Sequence, residues 1–232
     1  MKMVFPTDTA HHFVKEFFKT NYEHEIAQTL CLVDKNSLQT IVPGGEIAKG
    51  SYSGVKPPPM KCEKGKAIGS MHTHNEPYFD GPPFDKGSSD VDFFTIVQKG
   101  LCKEIDFPYV GCVLTPVAGD DGDLTAINIA CEQFDKFTED DIKNSTTGMI
   151  RNTTKGKVRE KFSDENVEFF KKGNPPKGGM FQSMGFKMGM HHLKRHFMEE
   201  GIMEQDDFKM NVKWHKDGTK VNISYKDEVL FG

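Results

Sequence analysis

Two histidines one residue apart, His72 and His74, and a carboxylate that opens a helix, Asp92, are the residues best suited to hold a metal. The run Ala67-Ile68-Gly69-Ser70-Met71 reads as a short buried strand ending at the histidines. Side chains at i and i+2 of a strand point to the same face, so His72 and His74 project side by side. Zinc accepts neutral imidazole and carboxylate at about 2.0–2.2 Å, and a catalytic zinc keeps its fourth position for water. A third protein ligand must come from elsewhere. Asp92 meets that need, in the first turn of a helix predicted over Asp92 to Lys99, with Ser89 at its N-cap. Ser-x-x-Asp is also a plain capping box, which stabilises a helix and does nothing else.

His72-x-His74 followed by Ser89-x-x-Asp92 resembles the JAMM signature of MPN-domain (JAB-type) zinc metalloproteases, over roughly residues 5 to 135. The resemblance implies zinc bound by His72, His74 and Asp92. It implies Ser89 as the oxyanion stabiliser and a Glu on an earlier strand as general acid/base. Glu25 is the preferred match, because it follows the helical segment Thr7 to Tyr22 and opens the apolar strand running to Val33. Glu46, in a Gly-flanked loop, and Glu23 are the alternatives. The implied fold is α/β of the α+β type, an MPN/JAB-like, cytidine-deaminase-like mixed central sheet flanked by helices. The implied activity is hydrolysis of amide or isopeptide bonds in a protein or peptide substrate, with ubiquitin-like conjugates in view. The same fold also serves without metal as a scaffold subunit of larger assemblies, and such members usually lack the His and Asp ligands. Small-molecule deamination is a third reading, but no Cys-x-x-Cys accompanies a His-x-Glu here. The chain departs from the family in its longer gap between His74 and Ser89, and in Asn75, where Pro is common. That Pro/Gly-rich loop, 75–88, reads either as a lid or substrate lip or as an insertion packed on the body.

These residues need elements to position them. Thr7 to Tyr22 carries Phe13, Val14, Phe17 and Phe18 at helical spacing, with Thr7 or Asp8 as N-cap and His11 and His12 read as surface residues. Leu38 to Val42 reads as the partner of the Glu25 strand, with Pro43-Gly44-Gly45 ending the hairpin. Ser51 to Lys66 is Pro-rich and extended. Phe107 to Thr115 and Leu124 to Cys131 are two more strands, joined through an acidic turn at Asp120-Asp121-Gly122-Asp123 that lacks EF-hand spacing.

Beyond residue 135 the family pattern fades, and residues 138–232 are read as a C-terminal α+β extension to a catalytic domain over 1–137. Thr138 and Asp141 form a capping box, 144–157 is loop-like, and Asp164 to Lys171 is helical and broken by Pro175-Pro176. Gly178 to Met190 is an adaptable Met-rich apolar surface without a phosphate-loop pattern. His191 to Glu200 is helical, and His192 and His196 at i, i+4 are a weaker metal pair. Phe208 to Tyr225 alternates as a hairpin turning at Asp217-Gly218, with Val212, Trp214, Val221 and Ile223 on its apolar face.

Composition bounds the function. The 232 residues carry a net charge of −4, which offers no general attraction to nucleic acid or an anionic membrane. Hydrophobic residues make up only 36%, but 19 Phe and 12 Met supply bulk for a core. No apolar run approaches a membrane span, and the segment Met1 to Pro6 lacks the apolar stretch of a signal peptide. Five widely spaced cysteines, without a CxxC pair, predict a cytoplasmic protein with no disulfide framework.

Overall fold

The computed structural model describes residues 2–20, 23–35, 37–52, 54–56, 58–75, 78–79, 88–118, 124–174, 180–214, 221–224 and 228–231. The acidic turn at 120–123, the Pro175-Pro176 break, the Asp217-Gly218 turn and most of loop 75–88 lie outside them. In chain order the elements are β1 (Met3–Phe5), α1 (Thr7–Phe18), β2 (Ile26–Lys35), β3 (Leu38–Lys49), β4 (Lys66–Thr73), β5 (Tyr78–Phe79) and α2 (Asp90–Leu101). Then follow β6 (Tyr109–Ala118), β7 (Leu124–Phe134), α3 (Glu139–Asn144), β8 (Thr146–Thr153), β9 (Gly156–Lys161), α4 (Asp164–Lys172), α5 (Met180–Glu199), β10 (Met203–Trp214), β11 (Val221–Ser224) and β12 (Glu228–Leu230). The architecture is mixed α and β, as expected, with most strands in one large sheet. Among the described residues no helix is long and apolar enough to cross a membrane.

The chain forms two compact units, both discontinuous in sequence. The first comprises Met1–Gly87, Val110–Gln133 and Gln205–Gly232, the second Ser88–Tyr109 and Phe134–Glu204. The boundary expected at 137/138 therefore falls inside the second unit. Residues after 204 return to the first.

The first unit is built on a sheet of order β11-β10-β7-β6-β4-β2-β3-β1-β12, with β5 pairing β6 in parallel. β4 lies near its middle, antiparallel to β2 and parallel to β6. Gly69 makes the parallel side possible: a Cβ there would stand 1.7 Å from the Val110 carbonyl oxygen. Helix α1 buries Phe13, Val14, Phe17 and Phe18 in a core shared with Ile26, Leu30, Ile41, Met71 and Ile129. Its stripe was legible, but its cap differs from expectation. Pro6 is the N-cap and makes no side-chain bond, so Thr7 is the first helical residue. The pyrrolidine ring presets φ near −65°, which suits the entry to a helix.

β3 runs on through Pro43-Gly44-Gly45 to Lys49, where a hairpin end was expected. The extension is held by pairing of Ile26 with Lys49 and Ala27 with Ala48, past an irregularity between Ala27 and Thr29. Gly45 supplies the positive φ (62°) that the irregularity needs. The hairpin of β10 and β11 forms as predicted, with Val212 opposite Ile223 and Trp214 opposite Val221.

The cysteine reading is corrected. Cys31 bonds Cys62 and Cys112 bonds Cys131, leaving Cys102 free and exposed. Cys112 and Cys131 lie on β6 and β7, neighbours in the sheet, so a wide separation in sequence hides a short one in space. The argument for a cytoplasmic protein from unpaired cysteines loses its ground with them.

The second unit packs α2, α3, α4 and α5 around a phenylalanine core. Phe93, Phe94, Phe134, Phe170 and Phe197 are all fully buried. Ring centroids of Phe93–Phe197 and Phe94–Phe170 are 5.9 and 5.4 Å apart, within the favourable range for aromatic pairs. The capping box at Thr138 and Asp141 is present. Segment 144–157 is not a loop: β8 and β9 make a two-stranded ribbon. Both faces of that ribbon are largely exposed, so it has no apolar alternation for sequence reading to find.

Gly69→Ala should destabilise the protein severely, because β4 and β6 cannot keep their spacing with the added methyl. Loss of the cooperative thermal transition would be the expected result, and a melting curve equal to wild type would contradict this packing.

Candidate metal centre

β4 and β2 position the residues of interest in the first unit. Along β4 and just beyond it, Met71 and Thr73 are buried while His72 and His74 are half-buried, the alternation expected of one shared face. The two Nε2 atoms approach to 3.2 Å. Two ligand atoms at 2.0–2.1 Å from one tetrahedral zinc stand about 3.3–3.4 Å apart. The imidazoles therefore already converge as two ligands of one ion would.

Antiparallel pairing brings the acid/base candidate to the same place. Ala27 stands opposite His72, and the same register continued two residues past the strand ends would set Glu25 across from His74. Both residues lie just past their strand ends, yet both are pinned. The Glu25 N–H donates to the Ser51 carbonyl at 2.9 Å, and the Glu25 carbonyl accepts from the Gly50 N–H at 2.8 Å. The His74 N–H donates to the Leu114 carbonyl of β6 at 2.9 Å. The next residue in the chain, Ile26, donates its N–H to the Thr73 hydroxyl at 3.0 Å. Ala27 is fully buried and small, which leaves room beside His72.

The three glutamates separate clearly. Glu25 is 8% exposed. Glu23 is exposed and precedes the strand. Glu46 is exposed and lies within β3, not in a loop. It lines a cavity of about 550 Å³ with His12, Gln28, Cys31, Glu63 and Lys64, a lining that includes neither Glu25 nor either metal-site histidine. Of the histidine pair on α1, His12 is exposed, but His11 is half-buried with Nε2 lacking a partner, so only one is a true surface residue.

Helix α2, in the second unit, carries the candidate carboxylate Asp92. Ser89 is its N-cap, and the capping box is complete. The Asp92 Oδ2 accepts from the Ser89 N–H at 3.0 Å and from the Ser89 hydroxyl at 2.6 Å, while the Asp92 N–H donates to the Ser89 Oγ at 3.2 Å. The purely structural role is thus realised. A carboxylate offers about four lone-pair sites, so capping and metal ligation are compatible. His72 and His74 belong to the first unit and Asp92 to the second, and each is of a type that can ligate a metal. Among the described residues His192 and His196 belong to no group of three such side chains.

One feature escaped the sequence reading. Asn75, noted only for standing where JAMM-type sequences commonly have Pro, is buried and donates from Nδ2 to the Tyr52 carbonyl at 2.9 Å, and its Oδ1 has no partner among the described residues. It tethers the chain just after His74 to the turn at Ser51–Gly54. A buried Asn gives no periodic signal, and only the structure supplies its partner.

No protein family model matches the chain, and no curated protein matches it. Among solved structures, the N-terminal domain of STIL from Trichoplax adhaerens matches at 11% identity and a TM-score of 0.30, covering 58% of this chain and 42% of that one. This chain thus spans less than half of that domain, and the likeness is too slight to inform fold or function.

On α5, burial holds the His192 imidazole below its usual titration range, reinforced by the charges of His191, Arg159 and Arg195. The unfolded chain takes up a proton there more readily than the folded one. The contribution of His192 to stability is therefore fully present above pH about 6.5 and is lost as pH drops below that value. In thermal melts across that range, His192→Gln should flatten the acid-side loss. An unchanged slope would show that other groups cause it.

Proposed function

We propose that the chain is a zinc-dependent hydrolase of amide or isopeptide bonds. The observation that carries this reading is the 3.2 Å convergence of the His72 and His74 Nε2 atoms, with the buried Glu25 held just before β2 by backbone bonds to Gly50 and Ser51. His72, His74 and Asp92 would hold the ion. Zinc supplies a Lewis acid there, lowering the pKa of a bound water from about 15.7 toward about 7.

The chain's own residues do the rest. The Glu25 carboxylate accepts the proton of the attacking water and later delivers it to the leaving amine, which departs neutral. Its position at the edge of the buried strand, fixed by Gly50 and Ser51, keeps it aimed without a large entropy loss. Ser89 turns its hydroxyl from Asp92 to the oxyanion that develops on the carbonyl. One such donor contributes about 2.7–4 kcal/mol in other hydrolases. The choice of an amide or isopeptide bond, and of ubiquitin-like conjugates or peptides as substrates, rests on the resemblance of His72-x-His74 and Ser89-x-x-Asp92 to the JAMM signature.

Elemental analysis of the purified protein tests the site directly. Wild type should carry about one zinc per chain, and His74→Ala and Asp92→Ala should each lose it. Glu25→Gln should retain the metal but lose turnover on isopeptide or peptide substrates by about 10²–10⁴-fold. Wild type without zinc after reconstitution would overturn the hydrolase reading in favour of a scaffold role.

A further inference from the structure

We infer that the ribbon of β8 and β9 is a docking edge for an extended polypeptide segment that alternates acidic and β-branched apolar residues. This inference is independent of the hydrolase reading.

The ribbon is unusual in three ways at once. Its charge opposes that of the protein. Residues 146–161 contain Arg151, Lys155, Lys157, Arg159 and Lys161 against Glu160 alone, a net +4. The remaining 25 basic and 33 acidic residues give the rest of the chain −8. Arg151 is paired with Glu160 at 2.6 Å. Among the described residues the other four cations make no ion pair. The ribbon also exposes apolar side chains where a solvated turn would not: Ile150 at 63%, Met149 at 52% and Val158 at 51%. Finally, β9 pairs only with β8 among the described residues, so its outer edge presents backbone donors and acceptors to solvent.

The root of the ribbon is firm, which an edge for docking requires. Gly148 adopts φ 79° directly against α5, where a Cβ would stand 2.3 Å from the His192 ring. The Ser145 hydroxyl donates to the His192 carbonyl at 3.4 Å, and the Phe162 N–H donates to the Ser145 carbonyl at 3.3 Å. The ribbon therefore leaves the helix in one fixed direction, and a partner need not order it first.

The register specifies the partner. Ile150 stands opposite Arg159 and Asn152 opposite Lys157, so Lys157, Arg159 and Lys161 share one face of β9. Val158, opposite Arg151, lies on the other face. A third strand added to β9 would set alternate side chains beside cations and beside Val158. Acidic residues satisfy the first row and β-branched residues the second, with main-chain bonds holding both. Like charges opposite one another are destabilising, which disfavours a second β9 as the partner. Nucleic acid is disfavoured as well: the segment has no aromatic residue on which a base could stack, and the protein as a whole is anionic.

Fluorescence anisotropy of the full-length protein with labelled synthetic peptides tests this, with and without added zinc. A peptide alternating Glu and Val should bind, and more weakly as salt rises. Methylating its alternate amide nitrogens should abolish binding, because strand addition needs those donors. Lys157→Glu combined with Arg159→Glu should weaken binding about tenfold or more and transfer preference to a Lys/Val peptide. Both positions lie on the exposed ribbon, and an unchanged melting temperature would confirm that the variant folds. Equal binding of Glu/Val and Lys/Val peptides by wild type, no binding of either, or indifference to N-methylation would overturn the inference. So would tighter binding of oligo-dT or anionic vesicles than of peptide, or self-association through β9. Loss of zinc without loss of peptide binding would separate this edge from the metal centre.

Discussion

The candidate centre depends on one constraint, the antiparallel register between β2 and β4. With Ala27 opposite His72, strand alternation leaves no choice about which residues share that face. His72 and His74 come together, and the same register continued past the strand ends would set Glu25 across from His74. A slip of one residue would turn the histidines away and put Thr73 in their place. Several features oppose such a slip. The core face of these strands is filled by Ile26, Leu30 and Met71. Gly69 meets Val110 at a spacing no other residue allows. Thr73 accepts a bond from the Ile26 N–H, which ties the side opposite the histidines to the same register.

How much of this was legible in the sequence follows from what kind of signal each feature leaves. The metal set has short internal spacings, His-x-His and Ser-x-x-Asp, and local geometry alone brings each pair together. Helix α1 left an apolar stripe, α2 a capping box and α4 a helical stretch before Pro175-Pro176, and each was found within a few residues. Glu25 was preferred over Glu46 for its apolar strand. Glu25 is buried and Glu46 exposed, but the strand register near Glu25 is a property that no local pattern encodes. The β8–β9 ribbon was missed because both its faces are largely exposed, so its few apolar residues follow no strand alternation. The extension of β3 was missed because Pro43-Gly44-Gly45 ordinarily ends a strand, and here Gly44 and Gly45 serve an irregularity inside one. Gly44 packs so closely that a Cβ would lie 2.3 Å from the Cys31 sulfur.

That last contact leads to the disulfides, which the sequence could not reveal. Cys31 sits on β2, on the same strand that leads from Glu25, and Cys62 lies in the Pro-rich segment before β4. The bond joins cysteines at a sequence separation of 31 and closes the loop that contains β3 and the turn at Ser51–Gly54. Crosslinking such a loop restricts the unfolded chain, and loops of this size are worth about 3–4 kcal/mol in the chain-entropy account. The same covalent closure limits how far segment 50–54, which holds Glu25 by two backbone bonds, can drift from the sheet. Five isolated cysteines looked like small hydrophobes in the sequence because pairing is a property of the fold, not of spacing.

Ser89 and Asp92 carry two demands at once, and the conflict between them is instructive. As a capping box they need each other: the hydroxyl donates to Asp92 Oδ2, and removing a cap of this kind costs about 1 kcal/mol. As members of a metal centre they would act on other atoms, Asp92 on the ion and Ser89 on a developing oxyanion. The two uses need not compete for Asp92, whose carboxylate has more lone pairs than the cap employs. They do compete for the single hydroxyl proton of Ser89. A site that borrows its oxyanion donor from a helix cap releases that bond only when a stronger acceptor arrives. A neutral carbonyl is a weaker acceptor than a carboxylate, whereas an oxyanion is charged as the carboxylate is. On the proposed hydrolase reading, the cap would bias Ser89 toward the transition state over the ground state, which is the condition for an interaction to accelerate a reaction instead of merely binding its substrate.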